Sequence, residues 1–293
     1  MVLGLPTMLV ASHIGSASNS RRLDRAGIQL SYLWRHGRLP RLDDPRLFTE
    51  WVQHRKLNDR DHRLPILADK YAVKAWVASK LSSSWVIPTL WHGAVLPSDA
   101  VWPTPFVVKS RHGCNQTRFV FENTAHWLSI RRDSARWMKS RYGRWLSEWL
   151  YGNIPRGLLV EPFVGEGATP PIDYKFYVFG GRVEYVQVHL GRGSRHRWIV
   201  LDRAWRRLSA SSKDADPARP RALTQMVTGA EILGQGFTFV RVDLYDGVSG
   251  PLFGEMTFYP GSGLDRFNPI SLDERMGCDW RLAVRRSGTE LAA

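Results

Sequence analysis

Four residues with metal-binding or catalytic chemistry are predicted to share one face of a β-hairpin between Phe237 and Gly263. Two β-rich runs, F-T-F-V-R-V-D-L-Y and P-L-F-G-E-M-T-F-Y, are separated by the turn sequence D-G-V-S-G. This pattern is typical of a hairpin with a longer loop. Because side chains alternate across a strand, the polar face gathers Arg241, Asp243, Glu255 and Thr257.

The opposite face of this hairpin is predicted to be apolar. It would carry Val240, Val242 and Leu244 on the first strand and Leu252, Met256 and Phe258 on the return strand. A turn centred near Val248 would place Asp243 opposite Phe253. The same register would place Arg241 opposite Glu255.

The acidic pair, Asp243 and Glu255, indicates a cation site. Carboxylates on adjacent strands repel each other unless positive charge lies between them. Mg²⁺ would supply that charge and leave coordination positions for phosphate oxygens and water. The alternative is an ordinary ion pair on a sheet face, with Arg241 neutralising Glu255 and Asp243 solvated.

Two lysines stand where they could reach a phosphate. Asp69 is a candidate cap for a helix that runs to about Leu81, and Lys70 follows it in the first turn, where a cation opposes the helix dipole. Lys109 ends the apolar strand P-F-V-V-K-S, and the polar loop R-H-G-C-N-Q-T-R follows it. Backbone N–H groups of such a loop can bind a phosphate together with the lysine.

The rest of the chain reads as alternating helices and hairpins. We expect a strand in G-L-L-V-E-P-F-V-G, a hairpin turned at Gly180-Gly181 that carries Lys175, and a helix from Arg221 to Leu233. S-W-V-I-P-T-L-W is strand-like, 191–220 is predicted to be largely loop, and 124–151 is predicted to be an amphipathic helix pair.

Composition and net charge indicate which broad class of protein this is and what kind of partner it has. The 293 residues carry a formal net charge of +14, with 43% hydrophobic and 23% charged residues, so we expect a globular protein with an anionic partner. Two cysteines cannot form a disulfide framework, and no apolar run is long enough for a transmembrane helix. We therefore expect a cytoplasmic protein, and the charge also allows peripheral contact with an anionic membrane.

The order of these motifs resembles the nucleotide site of the ATP-grasp superfamily. L-A-D-K-Y-A-V-K, F-V-V-K-S-R-H-G, D-Y-K-F-Y-V-F-G-G-R-V and F-V-R-V-D-L-Y with F-G-E-M-T-F-Y-P-G-S-G are similar to the TupA-like ATP-grasp proteins of bacterial surface-polymer biosynthesis. The resemblance covers roughly 47–280. It implies an α+β fold in which two subdomains with antiparallel sheets grip ATP between them.

The resemblance also implies residue roles. The nucleotide would be bound by Lys70, Lys109, His112, Gly113, Glu161, Pro162, Phe163, Val164 and Lys175. Lys175 and Arg241 would be catalytic. Two Mg²⁺ ions would be held by Asp243, Glu255 and Thr257.

The implied activity is ATP-dependent formation of an amide from a carboxylate and an amine through an acyl phosphate, releasing ADP and phosphate. The carboxylate would belong to an acidic carbohydrate or its uronic-acid unit. Two departures from the superfamily pattern are that Thr257 stands where many members have Asn, and that the loop after Lys109 contains only one glycine.

The implied organisation has five parts. They are a flexible leader (1–25), an N-terminal helical or α+β region (26–104), a small lid subdomain (105–165), a C-terminal subdomain with the metal site (166–280) and a tail (281–293).

Three rival functions stay open at this stage. Asp59-Arg60-Asp61 is a D-x-D triplet, the metal-binding signature of many glycosyltransferases, and a kinase of polysaccharide biosynthesis would use the same nucleotide site. The interleaved arginines and aromatics of 127–149 resemble a single-strand nucleic-acid surface. No specific nucleic-acid partner is expected, because familiar motifs for nucleic-acid binding are missing.

Overall fold

The structure, a computed structural model, describes residues 8–122, 126–190, 197–210 and 215–288. The helices of these residues are α1 (Met8–His36), α2 (Phe48–Asn58), α3 (Arg63–Ala68), α4 (Val73–Lys80), α5 (Trp127–Lys139), α6 (Trp149–Gly152), α7 (Leu223–Gly234) and α8 (Ile270–Ser287). The strands are β1 (Trp91–Gly93), β2 (Phe106–Ser110), β3 (Thr117–Val120), β4 (Leu158–Pro162), β5 (Asp173–Phe179), β6 (Arg182–Leu190), β7 (Arg197–Asp202), β8 (Phe239–Gly247) and β9 (Gly250–Thr257).

The larger sheet has five strands in the order β7-β6-β5-β8-β9, and every neighbouring pair is antiparallel. The predicted hairpin between β5 and β6 is confirmed, with a two-residue turn at Gly180 and Gly181. Both glycines have positive φ angles, 55° and 79°, which glycine adopts without steric cost. Direct pairing of β5 with β8 then aligns Lys175 with Asp243.

Helices α2 and α8 supply the aromatic core that supports the large sheet. The rings of Phe48 and Phe239 lie 5.0 Å apart, and those of Phe239 and Trp280 lie 4.4 Å apart. All three residues are buried, and aromatic contacts of this kind combine large apolar area with a fixed geometry. The strands that carry the polar face therefore rest on a rigid layer.

The smaller sheet has four antiparallel strands in the order β1-β4-β2-β3. The predicted hairpin of β2 and β3 and the strand ending at Pro162 are both present. Phe106, Val108 and Val160 form a separate core with Trp127 and Ile130 of α5. The expected α+β architecture with two antiparallel sheets is confirmed.

The predicted register of the β8–β9 hairpin was wrong by two residues. The turn comprises Val248 and Ser249, because Gly247 pairs with Gly250, and a bulge adds one residue, Gly254, on β9. Arg241 therefore pairs with Thr257, and Asp243 with Glu255.

The bulge also changes the apolar face of β9. Phe253, rather than Leu252, joins Met256 in the core, because an extra residue in a strand reverses the alternation of side chains beyond it.

Five other segments differ from the sequence predictions. Helix α1 begins at Met8, so 8–25 of the predicted leader is helical. The strand-like run 84–91 begins in a 3-10 helix and then has no regular structure apart from a bridge of Val86 to Phe253, while the strand β1 at 91–93 joins the small sheet. β7 lies inside the predicted loop 191–220, of which 191–196 and 211–214 are outside the described residues.

The second member of the predicted helix pair is the single turn α6. The predicted tail begins inside α8, which continues to Ser287. Over the part of the chain that the structure describes, no helix is both long and apolar enough to cross a membrane.

Candidate active site

The polar face of the β8–β9 hairpin is a buried ion cluster centred on Arg241. Its Nε donates to Asp243 Oδ1 and its Nη2 to Asp243 Oδ2, both at 2.7 Å. The same Nη2 lies 3.3 Å from Glu255 Oε1 and 3.0 Å from Thr257 Oγ1. Arg241 therefore bridges two directly opposed carboxylates. The alternative with a solvated Asp243 was wrong, because that side chain is 2% exposed.

Lys175 completes the charge balance from the neighbouring strand β5. Its Nζ lies 2.5 Å from Asp243 Oδ2 and 2.6 Å from Asp173 Oδ2. Burial raises the pKa of Asp243, and Arg241 and Lys175 oppose that rise only in part. Asp243 thus depends on these two cations to remain ionised inside the protein.

Glu255 is the more open carboxylate of the pair. Its side chain is 27% exposed, and its contacts are longer, with Oε2 lying 3.3 Å from Lys70 Nζ. Burial opposes its ionisation, yet Lys70, Lys175 and Arg241 hold its pKa well below the usual range. Burial likewise opposes the charge on Lys70, but Glu255 outweighs it and the pKa of Lys70 is raised. The Lys70–Glu255 pair is therefore ionised.

Lys70 connects the two sheets. It lies in the turn between α3 and α4, and its Nζ donates to Gly113 O at 3.0 Å, in the loop between β2 and β3. Its other partner, Glu255, is on β9 of the large sheet. The predicted phosphate-binding lysine is thus brought next to both the predicted loop and the predicted metal ligands.

Asp69 fixes this turn, but not as the predicted cap of α4, because α4 begins at Val73 with Ala72 as its N-cap and Asp69 directly follows α3. In the turn between the two helices, Asp69 Oδ1 accepts backbone N–H bonds from Tyr71 at 2.9 Å and Ala72 at 3.3 Å. The same carboxylate also binds Arg111, whose Nε lies 3.0 Å from Oδ1. Arg111 O in turn accepts the Lys70 N–H at 3.3 Å. Lys70 is therefore held to the β2–β3 loop by two bonds of its own, from its Nζ to Gly113 O and from its N–H to Arg111 O, and the Asp69–Arg111 pair supports them.

Glu161 is the centre of a second buried ion cluster. Lys109 Nζ lies 2.6 Å from its Oε2, and Lys74 Nζ lies 2.5 Å from its Oε1. Burial raises the pKa of Glu161, but the two lysines outweigh that effect and its pKa is lowered. A contact of Glu161 with ribose or adenine would have to replace one of these ion pairs.

Sequence reasoning did not identify Lys74 as part of the site. Its Nζ also donates to Ile87 O at 2.7 Å and Thr89 Oγ1 at 2.8 Å. Lys74 stands four residues after Lys70, and in the helix predicted from Asp69 to about Leu81 that spacing would bring both side chains to one face, although α4 begins only at Val73. The motif L-A-D-K-Y-A-V-K therefore contained the signal.

The remaining predicted nucleotide residues lie along the small sheet. His112 is buried, its Nε2 lies 3.2 Å from Trp137 O, and burial lowers its pKa. Its side chain thus packs toward α5. Pro162 ends β4, and the N–H of Phe163 donates to Pro105 O at 3.0 Å. That N–H is already engaged, and the adenine-binding role of 162–164 stays a prediction.

The D-x-D triplet has local partners. Asp59 pairs with Arg55 at 3.2 Å, and Asp61 pairs with Arg63 at 2.6 Å. Asp59 Oδ1 also accepts the N–H of Asp61 at 3.0 Å. These contacts connect α2 to α3.

The donor set of the β8–β9 face fits Mg²⁺. Over the described residues, no group of three or more His, Cys, Asp or Glu side chains could hold a metal ion. Mg²⁺ does not require one, since it is commonly bound by one or two carboxylates together with substrate phosphates and water. Asp243 and Glu255 supply two hard oxygen donors in direct opposition.

The sequence matches the family described as TupA-like ATPgrasp over residues 50–280. No curated protein matches it. One similar solved structure is the D-alanine–D-alanine ligase from Bacillus anthracis complexed with ATP, with 12% identity, coverage of 77% of this chain and 67% of that chain, and a TM-score of 0.43.

Two further similar structures are a D-cycloserine synthetase and a bacterial ATP-grasp protein. The synthetase, DcsG, shows 20% identity over 76% of this chain and 71% of that chain, with a TM-score of 0.41. The RimK domain protein from Sphaerobacter thermophilus shows 16% identity over 76% of this chain and 68% of that chain, with a TM-score of 0.40.

Proposed function

The chain belongs to the TupA-like ATP-grasp family, and we propose that it is an ATP-dependent ligase joining a carboxylate to an amine. The observation that supports this most strongly is the convergence of Lys70, Lys175 and Arg241 on the opposed carboxylates Asp243 and Glu255. With Asp173, which also contacts Lys175, three carboxylates balance these three cations, so the cluster suits a nucleotide bound together with Mg²⁺, whose charge offsets part of the charge of the phosphates. Burial strengthens each of these interactions relative to water.

The reaction proceeds in two steps. A carboxylate oxygen of the substrate attacks the γ-phosphorus of ATP, and the bond to ADP breaks. The amine nitrogen then attacks the acyl carbon of the acyl phosphate, phosphate leaves with the electron pair of the broken bond, and the nitrogen loses a proton. No covalent bond to the protein forms, so the protein contributes positioning and charge stabilisation.

Each cation has a separate role in these steps. Lys70 and Lys109 bind the ATP phosphates from two different elements, and Glu161 positions Lys109 through their 2.6 Å contact. Lys175 contacts the transferring phosphoryl group. Arg241 stabilises the oxyanion that develops when the amine attacks.

Asp243, Glu255 and Thr257 would hold Mg²⁺, and Glu255 would bridge two ions. When bound, the metal neutralises charge on the transferring phosphoryl group. To hold the metal, Asp243 would give up part of its contact with Arg241 or Lys175, whereas Glu255 is already the more open carboxylate. The backbone of Pro162–Val164 would contact the adenine edge.

We propose an acidic carbohydrate, or its uronic-acid unit, as the carboxylate substrate and an amino compound as the amine. The formal net charge of +14 favours an anionic partner. The peripheral contact with anionic membranes proposed above has the same electrostatic basis.

Product analysis tests the proposal. The protein is incubated with ATP, MgCl₂, a uronic-acid oligosaccharide and a pool of amino acids, and nucleotides and new amide masses are followed together. The expected products are ADP, phosphate and an amide. AMP with pyrophosphate would refute the acyl-phosphate route, and stable transfer of phosphate to sugar would make the protein a kinase.

Two variant experiments address the other rivals. Asp59→Asn with Asp61→Asn is expected to leave ATP binding nearly unchanged, whereas a D-x-D glycosyltransferase would lose its metal site. Tight, salt-sensitive binding of single-stranded nucleic acid that is insensitive to changes at Asp243 and Glu255 would favour a nucleic-acid-binding protein.

A further inference from the structure

A cavity of about 460 Å³ lies beside the proposed active site, between α1, the end of α5 and the segment 140–156. We name it the arginine cavity. Its lining includes Arg141, Arg144, Arg156, Tyr142, Trp149 and Tyr151. This volume is within the range of pockets that hold small molecules, about 300–1,000 Å³.

The arginines of this cavity have no carboxylate partners. Across the described residues, none of the three forms an ion pair, and Arg156 Nη1 donates only to the backbone oxygen of Met138, at 3.0 Å. By contrast, Arg118 and Arg136 on the neighbouring elements both pair with Asp133. Three guanidinium groups facing one cavity therefore present unbalanced positive charge.

The acidic residues of the lining offset this charge only in part. Glu148 lies next to the buried Lys56, which interacts with it electrostatically. Lys56 Nζ lies 2.6 Å from Ser262 Oγ. Glu148 is thus balanced from within the protein, and Asp24 is the only other carboxylate of the lining. The cavity is suited to an anion, and guanidinium groups match carboxylates in a bidentate geometry.

The uncharged lining is aromatic. The rings of Tyr142 and Tyr151 lie 5.0 Å apart and nearly perpendicular, at 89°, and Trp149 adds a third ring. Aromatic ring faces pack against apolar surfaces, and the O–H of tyrosine and the N–H of tryptophan form hydrogen bonds with polar groups such as hydroxyls. A flat ligand with C–H surfaces, hydroxyls and a carboxylate would satisfy both parts of the lining.

The cavity shares its wall with the proposed ATP site. His112, a lining residue, immediately precedes Gly113, whose carbonyl binds Lys70. On the same side, Tyr151 Oη lies 3.9 Å from Sγ of Cys114. A ligand in the arginine cavity is therefore separated from the phosphate-binding loop by one layer of side chains.

We propose that the arginine cavity binds a carboxylate-bearing sugar unit of the acidic substrate that neighbours the unit whose carboxylate reacts with ATP. Arg141 and Arg144 contact its carboxylate, and the aromatic rings contact the sugar ring. This inference rests on the proposed ligase function, since it assigns the substrate of that reaction to a particular cavity.

Binding of a galacturonic acid trisaccharide tests the proposal. Affinity is measured by calorimetry in the presence of MgCl₂ and a non-hydrolysable ATP analogue. The double variant Arg141→Met with Arg144→Met is expected to bind the trisaccharide at least about tenfold more weakly than the parent. Both side chains are exposed, so the fold and the affinity for the ATP analogue should be unchanged.

The matched control removes the same charge elsewhere. Arg131 and Arg132 lie on α5. The double variant Arg131→Met with Arg132→Met is expected to change the affinity for the trisaccharide by less than about twofold. The methyl ester of the trisaccharide, which keeps the sugar rings but lacks the charge, should bind the parent as weakly as the acid binds the double variant.

Three results would overturn the proposal. They are no binding of the trisaccharide to the parent, equal binding to the parent and the double variant, and arginine-dependent binding of free glutamate in place of the trisaccharide, which would make the cavity an amino-acid site. A failure of the ligase function can be distinguished from a failure of the cavity assignment. If saccharide binding depends on Arg141 and Arg144 but turnover releases AMP, only the proposed reaction is refuted. Amide formation with an unchanged KM for the saccharide in the double variant would refute the cavity assignment alone.

Discussion

Replacing Arg241 with Met should destabilise the protein strongly, because Arg241 is what separates two opposed carboxylates. Its side chain is 9% exposed and makes two bonds to Asp243, one to Glu255 and one to Thr257. Removing one member of a buried ion pair leaves an uncompensated charge, which costs ~3–5 kcal/mol. Because Lys175 and Lys70 remain, we expect the decrease in the free energy of unfolding to lie within that range and not above it.

The assay is urea unfolding of Arg241→Met and the parent, followed by tryptophan fluorescence in metal-free buffer and with MgCl₂. Arg241 engages both oxygens of Asp243, so its removal frees Oδ1 for a cation and leaves Oδ2 with Lys175 alone. MgCl₂ should therefore stabilise the variant more than the parent, because ligand binding to the folded state adds to its stability. This comparison reports on the proposed metal site without requiring substrate.

Two control variants separate charge from geometry. Arg241→Lys keeps the charge but lacks the two-pronged contact, so its loss of stability should be intermediate. Arg118→Met breaks a pair with Asp133 whose arginine is 46% exposed, and it should cost no more than ~1 kcal/mol. A free energy of unfolding for Arg241→Met within ~1 kcal/mol of the parent, or equal stabilisation of both proteins by MgCl₂, would refute this reasoning.

Three further predictions concern metal, nucleotide and protons. Glu255→Gln and Asp243→Asn should each lower kcat of ADP release by ~100-fold or more while the far-ultraviolet circular dichroism stays unchanged; unaltered turnover in both would discard the metal assignment. Lys70→Met and Lys109→Met should weaken ATP binding in calorimetry by about tenfold with a smaller change in kcat, because both lysines meet phosphates in ground and transition states alike; parental affinity in both would mean that the phosphates bind elsewhere. Burial raises the pKa of Asp273 to about 6, so the folded state favours the protonated carboxyl. The protonated carboxyl therefore contributes to stability below pH ~4, and this contribution is lost as the pH rises through about 6. Relative to Asp273→Asn, the parent should lose ~2–3 kcal/mol between pH 4 and pH 7 in urea unfolding; parallel pH profiles would contradict the shift.

The sequence predicted the elements that carry the site because their signals are local. Alternation placed Arg241, Asp243, Glu255 and Thr257 on one face, and the Gly180-Gly181 dipeptide predicted its hairpin. The register across β8–β9 was missed because it depends on a bulge. Gly254 inside an apolar run was the available signal, since glycine within a strand often marks a bulge.

The contacts between elements could not be predicted in the same way. The Asp69–Arg111 and Lys74–Glu161 pairs join residues far apart in the chain, and one sequence does not show which charges meet. β1 and β7 were missed because the three-residue strand W-H-G and the strand R-W-I-V-L-D have no period-2 polar alternation. Their pairing partners in the sheets, not their own propensities, make them strands.

The bulge at Gly254 shifts the alternation of side chains along β9, so that residues on both sides of it contribute apolar side chains to the same core. Before it, Phe253 points to the apolar layer, and beyond it Met256 does, although the two residues are an odd number of positions apart. A Cβ at this position would lie 3.0 Å from Asp243 O, so a larger residue would press on the strand that carries the opposing carboxylate. If Gly254 instead took a regular strand position opposite Asp243, Glu255 would move opposite Val242 and its side chain would face the core. The unpaired position of this glycine therefore keeps the Glu255 carboxylate on the polar face beside Asp243.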